Sequence, residues 1–219
     1  DQLAIVVAPR PPSDPFIVDR YLAGAAYAGI TALLVVNKQD LPPEERELEF
    51  LADLERASLR VYRVSARSGA GLADLRSALA GQRTLFAGQS GVGKSSLFNT
   101  LSGSDVRATR TLSDASGEGR HTTVSSAILT LPWGELVDSP GVRDYAPPLV
   151  PQRTVQEGYA EIARLAGSCR FQDCLHQREP ACAVRDAVAT GGVAERRYES
   201  YRRLLNLMRQ LTSRRGWRA

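Results

Sequence analysis

Short runs of apolar residues recur along the first half of the chain, at Gln2 to Ala8, Thr31 to Val36, Leu59 to Val64 and Arg83 to Ala87, each rich in Val, Ile or Leu. Runs of this length suit strands buried on both faces. Between them, Phe16 to Ala28, Glu44 to Arg56 and Leu72 to Leu79 space their apolar residues by three and four, the period of an amphipathic helix. The alternation predicts βαβα order and a mainly parallel sheet covered by helices. Lys94 to Leu101 reads as another helix and Ser102 to Thr123 as a long polar loop. Val124 to Leu131 and Glu135 to Val137 read as a hairpin turning at Pro132, Trp133 and Gly134.

Beyond Gly141 the texture changes. Pro147, Pro148 and Pro151 interrupt any regular element, and helices then dominate, most clearly Thr154 to Leu165 and Ala194 to Leu211. The second of these carries Tyr198, Tyr201, Leu204, Leu205 and Met208 on one face with arginines opposite, a stripe that reads as helix packing before partner binding. Two domains follow, one over residues 1–148 and a small, mainly helical one over 149–219.

Composition sharpens this picture at a few positions. With 43% hydrophobic and 24% charged residues in 219, collagenous, mucin-like and repetitive classes are excluded. The longest apolar stretches fall far short of the ~20 residues of a membrane helix, and no charged-then-apolar leader opens the chain, so no membrane association is expected. The three cysteines, Cys169, Cys174 and Cys182, are an odd set confined to one short stretch, which favours a reduced, cytoplasmic compartment and a metal site over disulfides. Of the 28 basic residues only Lys38 and Lys94 are lysine. From Arg170 onward there are 11 arginines against 5 acidic residues, whereas the residues before are slightly acidic, so the basic character belongs to the C-terminal part and points to an anionic partner there.

Gly88-Gln89-Ser90-Gly91-Val92-Gly93-Lys94-Ser95 follows the strand Arg83 to Ala87 and opens a helix with Ser96, the setting that a phosphate-binding loop requires. Glycines let backbone N–H groups turn toward a phosphate, and the helix N-terminus adds its positive end. Lys94 then contributes a mobile ammonium for the β and γ phosphates, and Ser95 a hydroxyl for Mg²⁺. The bland alternative is a Gly-rich turn with an incidental lysine; spacing, strand and helix together argue against it. The second lysine lies in Asn37-Lys38-Gln39-Asp40, directly after the strand Thr31 to Val36, and resembles the guanine-reading motif of GTPases. A carboxylate such as Asp40 can accept both N1–H and the exocyclic amine of guanine, a donor pair that adenine lacks. Asn37 would meet the base edge or brace the loop, and the Lys38 stem would cover the ring face. Ser65-Ala66 resembles the accompanying motif whose backbone N–H approaches the guanine oxygen.

Asp138-Ser139-Pro140-Gly141 closes the strand Glu135 to Val137 and resembles a switch motif in which Asp138 holds Mg²⁺ through water and the Gly141 amide senses the γ phosphate. Thr122 or Thr123 would supply the metal-binding hydroxyl of the first switch; the sequence does not choose between them. In an ordinary GTPase the phosphate loop precedes the base readers, whereas here residues 37–40 and 65–66 come first. Renumbered from Arg83, the six strands fall into the usual GTPase order, so the fold class expected is α/β with a circularly permuted phosphate-loop sheet. Permutation is tolerable because the termini of compact domains lie at the surface, often close together.

Cys169, Cys174, His176 and Cys182 form a Cys3His set suited to one closed, structural zinc site. The permuted order followed by this module, with Gly119-Arg120-His121-Thr122-Thr123 and Asp138-Ser139-Pro140-Gly141-Val142, closely resembles the small-subunit-dependent GTPase family RsgA. The resemblance implies Mg²⁺-dependent hydrolysis of GTP to GDP stimulated by the small ribosomal subunit, late maturation of that subunit and contact with its rRNA. It also implies an N-terminal OB-fold, which this chain is expected to lack. A monomer is expected. Val142 stands where many GTPases place a water-orienting Gln, and His121, the histidine not assigned to zinc, becomes the candidate for orienting or deprotonating water; the alternative is a solvated loop histidine. Two other functions compete: a nucleotide-gated RNA-binding module in which turnover is secondary, and phosphoryl transfer to a small molecule, which residues 37–40 disfavour.

Overall fold

The computed structural model describes residues 1–43, 45–103, 110–112, 127–138, 145 and 147–214. Its strands are β1 (Gln2–Val7), β2 (Thr31–Val36), β3 (Arg60–Arg63), β4 (Arg83–Ala87), β5 (Arg110–Leu112), β6 (Ala127–Leu131) and β7 (Gly134–Asp138). The helices are α1 (Pro15–Tyr27), α2 (Glu45–Arg56), α3 (Leu72–Leu79), α4 (Lys94–Ser102), α5 (Ala160–Ala166), α6 (Ala183–Ala189) and α7 (Glu195–Arg214), with a 3₁₀ helix over Gln152–Gly158. None of the described helices is long and apolar enough to cross a membrane.

The strands form one sheet in the order β3-β2-β1-β4-β7-β6-β5. β1 pairs in parallel with β2 and β4, β2 with β3, and β4 with β7, while β6 runs antiparallel to β7 and β5 to β6. Counted from β4 and leaving out β5, the order across the sheet is the permuted one that the motif order implies. Its topological switch lies between β1 and β4, whose following segments leave in opposite directions, and ligands in open α/β sheets bind outside the carboxyl ends of strands at such a point.

By contacts the chain separates into two compact units. The first holds residues 1–14, 30–49 and 59–144. All six residues of β1 are buried, as the unbroken apolar run requires, and Ala4, Val6, Val35 and Phe86 of the strands pack with Leu75 and Leu79 of α3 and Leu97 and Leu101 of α4 in one cluster. The second unit holds residues 15–29, 50–58 and 145–219. Its core gathers Ala23, Val155, Tyr159, Ile162, Val184, Tyr201, Leu204, Leu205 and Met208, so the apolar stripe of α7 is packing surface. By contacts, therefore, α1 and the C-terminal half of α2 group with the residues from Tyr145 onward, although by sequence they lie among the strands. The reason is a buried charge cluster. Arg197 spans Asp19 of α1 at 2.6 Å and grips Glu161 of α5 with two bonds, at 2.6 and 3.1 Å. Arg196 joins the other Asp19 oxygen at 2.8 Å to Asp53 of α2 at 2.9 Å.

Two expectations change. β5 falls inside the segment read as a loop. The helix expected over Thr154 to Leu165 is a 3₁₀ turn and then α5, separated at Tyr159, which turns extended at φ −131°, ψ 91°; its fully buried ring hydrogen-bonds Ser200 at 3.1 Å through its hydroxyl. Residues 124–126 of the expected hairpin strand lie outside the described residues.

Replacing Arg197 by Ala takes both guanidinium bonds from buried Glu161 and leaves buried Asp19 with Arg196 alone. The expected loss is about 3–5 kcal/mol of folding free energy, read as a lowered urea midpoint; an unchanged midpoint would contradict the role given to this cluster.

Candidate nucleotide site and metal centre

The segments following β1, β2, β3 and β4 converge within the first unit. Gly88 follows β4 with φ +142°, and a Cβ there would lie 2.3 Å from the Val6 carbonyl oxygen. Gly93 caps α4 in the left-handed region, and a Cβ there would lie 2.3 Å from Asn37 Nδ2. Both positions need glycine, and their lack of side chains brings the loop against β1 and Asn37. Gly93 offers no capping side chain to α4, so the first-turn N–H groups, with the positive end of the helix, are suited to an anion. The buried Lys94 ammonium folds onto the same loop, donating to the Gly88 and Gln89 carbonyls at 2.7 and 2.8 Å.

Asn37 is 1% exposed. Its Nδ2 donates to the Val92 carbonyl at 3.0 Å, and its Oδ1 accepts from the Ala66 N–H at 3.1 Å. Of the two roles open to it, bracing is the one these bonds perform: a single amide fixes the 88–95 loop against the 65–66 turn. Lys38, at φ 63°, donates to the Gly91 and Arg10 carbonyls at 2.7 Å each, stretching its stem between two loops. Gln39 donates its backbone N–H to Val64 at 3.1 Å. The Ser65 hydroxyl donates to Asp40 Oδ1 at 2.6 Å and accepts from the Ser68 N–H at 3.1 Å. That hydroxyl bond is the main force holding the Asp40 carboxyl below its usual range, aided by the Arg67 guanidinium 3.9 Å away and by Lys38. The lowered pKa favours the carboxylate form of Asp40, which can only accept hydrogen bonds.

The segment after β1 also belongs here, which the motif analysis missed. Besides the Arg10 carbonyl on Lys38, the Asp14 N–H donates to the Gln89 side chain at 3.0 Å, and Pro11 borders Gly91. Its position at the switch between β1 and β4 is the signal that could have found it. Asp138 ends β7 opposite Phe86 of β4. His121, Thr122, Thr123 and Gly141 lie outside the described residues.

In the second unit, the ligand atoms of Cys169, Cys174, His176 and Cys182 lie within 4.8 Å of one another. His176 Nδ1 is 3.5 Å from Cys169 Sγ and 3.4 Å from Cys182 Sγ, and those two sulfurs are 3.9 Å apart. With metal bonds of about 2.3 Å to sulfur and 2.0–2.1 Å to nitrogen, a tetrahedron has S···S edges of about 3.8 Å and S···N edges of about 3.5 Å. The Cys169, His176 and Cys182 donors thus match three edges of such a tetrahedron, and Cys174 Sγ completes a set that could hold a metal ion. Burial lowers the His176 pKa and raises those of the Cys174 thiol, to about 12, and the Cys182 thiol. Around the cluster, His176 Nε2 donates to Gln156 Oε1 at 2.8 Å, which leaves the Nδ1 lone pair facing the sulfurs. The Tyr198 and Tyr201 hydroxyls donate to the carbonyls of His176 and Leu175. Glu179 accepts from the N–H groups of Leu175, Gln177 and Arg178 at 3.0, 2.7 and 2.9 Å. Burial opposes its charge, but these and its own N–H outweigh it and bring its pKa to about 2.

Fold and site together define the class, an α/β phosphate-loop protein with circularly permuted strand order. The model of the RsgA GTPase family matches residues 1–147, and the chain belongs to that family. The small ribosomal subunit biogenesis GTPase RsgA of Azotobacter vinelandii is 44% identical over 210 residues, which cover 94% of this chain and 61% of the relative. The protein of the same name from Photorhabdus laumondii is 40% identical over 220 residues, 98% of this chain and 63% of the relative. The chain therefore spans less than two thirds of the length of these curated relatives. Among solved structures, YjeQ from Thermotoga maritima matches with a TM-score of 0.76 at 30% identity, over 95% of this chain and 71% of its own. YloQ, described as a circularly permuted GTPase, matches with a TM-score of 0.76 at 26% identity, over 96% and 68%.

Two outcomes follow from these contacts. Ser65→Ala should raise the Asp40 midpoint in a carboxyl NMR titration; because the depressed pKa contributes stability that is present above the unfolded carboxylate value and lost as pH falls toward the folded value, the variant should lose less stability on acidification and finish losing it at a higher pH. An unmoved midpoint refutes the contact. Gln156→Ala should weaken Co²⁺ binding, followed by its thiolate absorption, by about 10- to 100-fold, whereas equal affinity would show that the His176 orientation is set elsewhere.

Proposed function

We propose that the chain is the nucleotide-binding and hydrolysing part of a GTPase that acts in late maturation of the small ribosomal subunit, with turnover stimulated by that subunit. The observation that supports this reading is the Asn37 bridge, which ties the 88–95 loop to the turn at 65–66, whose Ser65 bonds Asp40. The relatives' printed names support the biological setting.

In this reading Gly88 to Ser96 cradle the phosphates, Lys94 leaves its carbonyl partners for the β and γ oxygens, and Asp40 accepts the guanine N1–H and amine. Ser65 and Ala66 shape the pocket beside the base oxygen, with Asn37, Lys38 and Gln39 holding it. Mg²⁺ bound with GTP would offset charge developing on the phosphoryl oxygens, held by Ser95, by Thr122 or Thr123, and through water by Asp138. Gly141 would sense the γ phosphate, and His121 would orient or deprotonate the attacking water in place of the glutamine absent at Val142. Hydrolysis needs little covalent chemistry from the protein, so positioning and charge are its main tasks.

We assign residues 1–148 to the nucleotide-binding domain and 149–219 to a helical domain held by one structural zinc on Cys169, Cys174, His176 and Cys182. That domain, rich in arginine, contacts rRNA. The protein acts as a cytoplasmic monomer without membrane contact.

GTP hydrolysis measured with and without small subunits across a salt series tests the proposal. Turnover should rise with subunits, and the rise should fall steeply with salt; no stimulation at any salt would refute it. Asp40→Asn should weaken guanosine nucleotides and admit xanthosine ones, and unchanged preference would sink the base assignment.

A further inference from the structure

Phe171 lies in the loop between the metal-ligand candidates Cys169 and Cys174 and is 38% exposed. Among the described residues of the second unit it is the one large apolar side chain left exposed. A single exposed apolar residue is ordinary; this one is held in place and accompanied. The Arg170 N–H donates to the Ala181 carbonyl at 3.2 Å, and the Cys174 N–H to the Phe171 carbonyl at 3.2 Å. Arg153 donates to the Gln172 carbonyl at 3.0 Å. These bonds limit the loop's freedom to withdraw the ring. The Arg170 guanidinium lies 5.6 Å from the ring centroid, so a planar cation and an aromatic ring share one exposed surface.

The charge nearby is unbalanced. Among the described residues, neither Arg153, Arg170, Arg178 nor Arg185 forms an ion pair with a carboxylate. Asp173 is the single acid between Cys169 and Cys174, and Glu179 is occupied by backbone N–H groups. Exposed aromatic rings and arginine planes are the groups on which unpaired bases stack, while unpaired guanidiniums attract the phosphates between them.

We propose that Phe171 and Arg170 form a stacking platform for an unpaired RNA base, with Arg153, bonded to the Gln172 carbonyl, supplying phosphate attraction beside it. This rests on the rRNA-binding reading above and names the residues that would perform it. An apolar protein contact at the same ring is the competing occupant.

The test is fluorescence anisotropy of the full chain with labelled single-stranded RNA octamers and a double-stranded control of equal length. Wild type should prefer the single strand, and Phe171→Leu, which keeps apolar area but loses the ring, should bind it about tenfold more weakly or worse. Phe171→Tyr should bind as wild type, and the salt slope should be unchanged in both. Arg170→Gln should also lower the salt slope, by about 1. Co²⁺ absorption of each variant checks that the loop is intact. Wild-type affinity in Phe171→Leu overturns the platform and assigns the ring to an apolar protein contact, with the rRNA reading still standing. Absence of any RNA or small-subunit binding by the wild type at low salt overturns both.

Discussion

One side-chain amide organises the edge of the sheet on which the functional reading depends. Asn37 is buried at the end of β2, and its two polar atoms satisfy a carbonyl of the phosphate loop and an N–H of the turn after β3. A buried amide is costly unless both ends are paired, so this bridge constrains all three segments at once. Gly93 must lack a Cβ because the amide lies where that atom would be, and Ser65 is thereby held where it can orient Asp40. The geometry is a property of the strand order, which brings the ends of β1, β2 and β4 together at the point where the chain direction reverses.

The second unit is held by different physics. Its helices α5 and α6 have only 7 residues each, and its core is supplemented by charges in the interior. Arg197 is 3% exposed, and its guanidinium is satisfied by carboxylates from α1 and α5. Such pairs contribute little net stability against an apolar alternative but are severe when broken, which makes them suited to fixing which helices meet. The Cys3His cluster adds a second fixed point. Gln156, Tyr198, Tyr201 and Glu179 each hold the segment carrying His176, so the donor atoms converge through contacts made by several elements.

Much of this was legible in the residues, for identifiable reasons. β1 and β2 announce themselves because strands buried on both faces must be continuously apolar, whereas β4 alternates, with Arg83 and Leu85 exposed and Thr84 and Phe86 buried. The 88–95 loop stands out because phosphate binding would fix both residue type and spacing, and the cysteine cluster because no other cysteine competes with it. The grouping of α1 was not legible, since nothing in the sequence near Asp19 says that its partners are Arg196 and Arg197. β5 is three residues long, too short for an alternating pattern to show, and the break at Tyr159 is set by where its ring must be buried. The role of Asn37 needed coordinates as well, because a motif gives a residue and not the direction of its amide. Gln156 and the segment after β1 carry no motif at all.

The central claim is that the edge defined by Asn37 binds a guanine nucleotide through Asp40 and the phosphate loop. Isothermal titration of the wild-type chain with GDP and with ADP, in Mg²⁺ buffer, tests it most directly. The account predicts saturable binding of one GDP per chain and an affinity for ADP lower by at least about a hundredfold, because adenine lacks the donor pair that the Asp40 carboxylate would accept. Equal affinities for the two would contradict it.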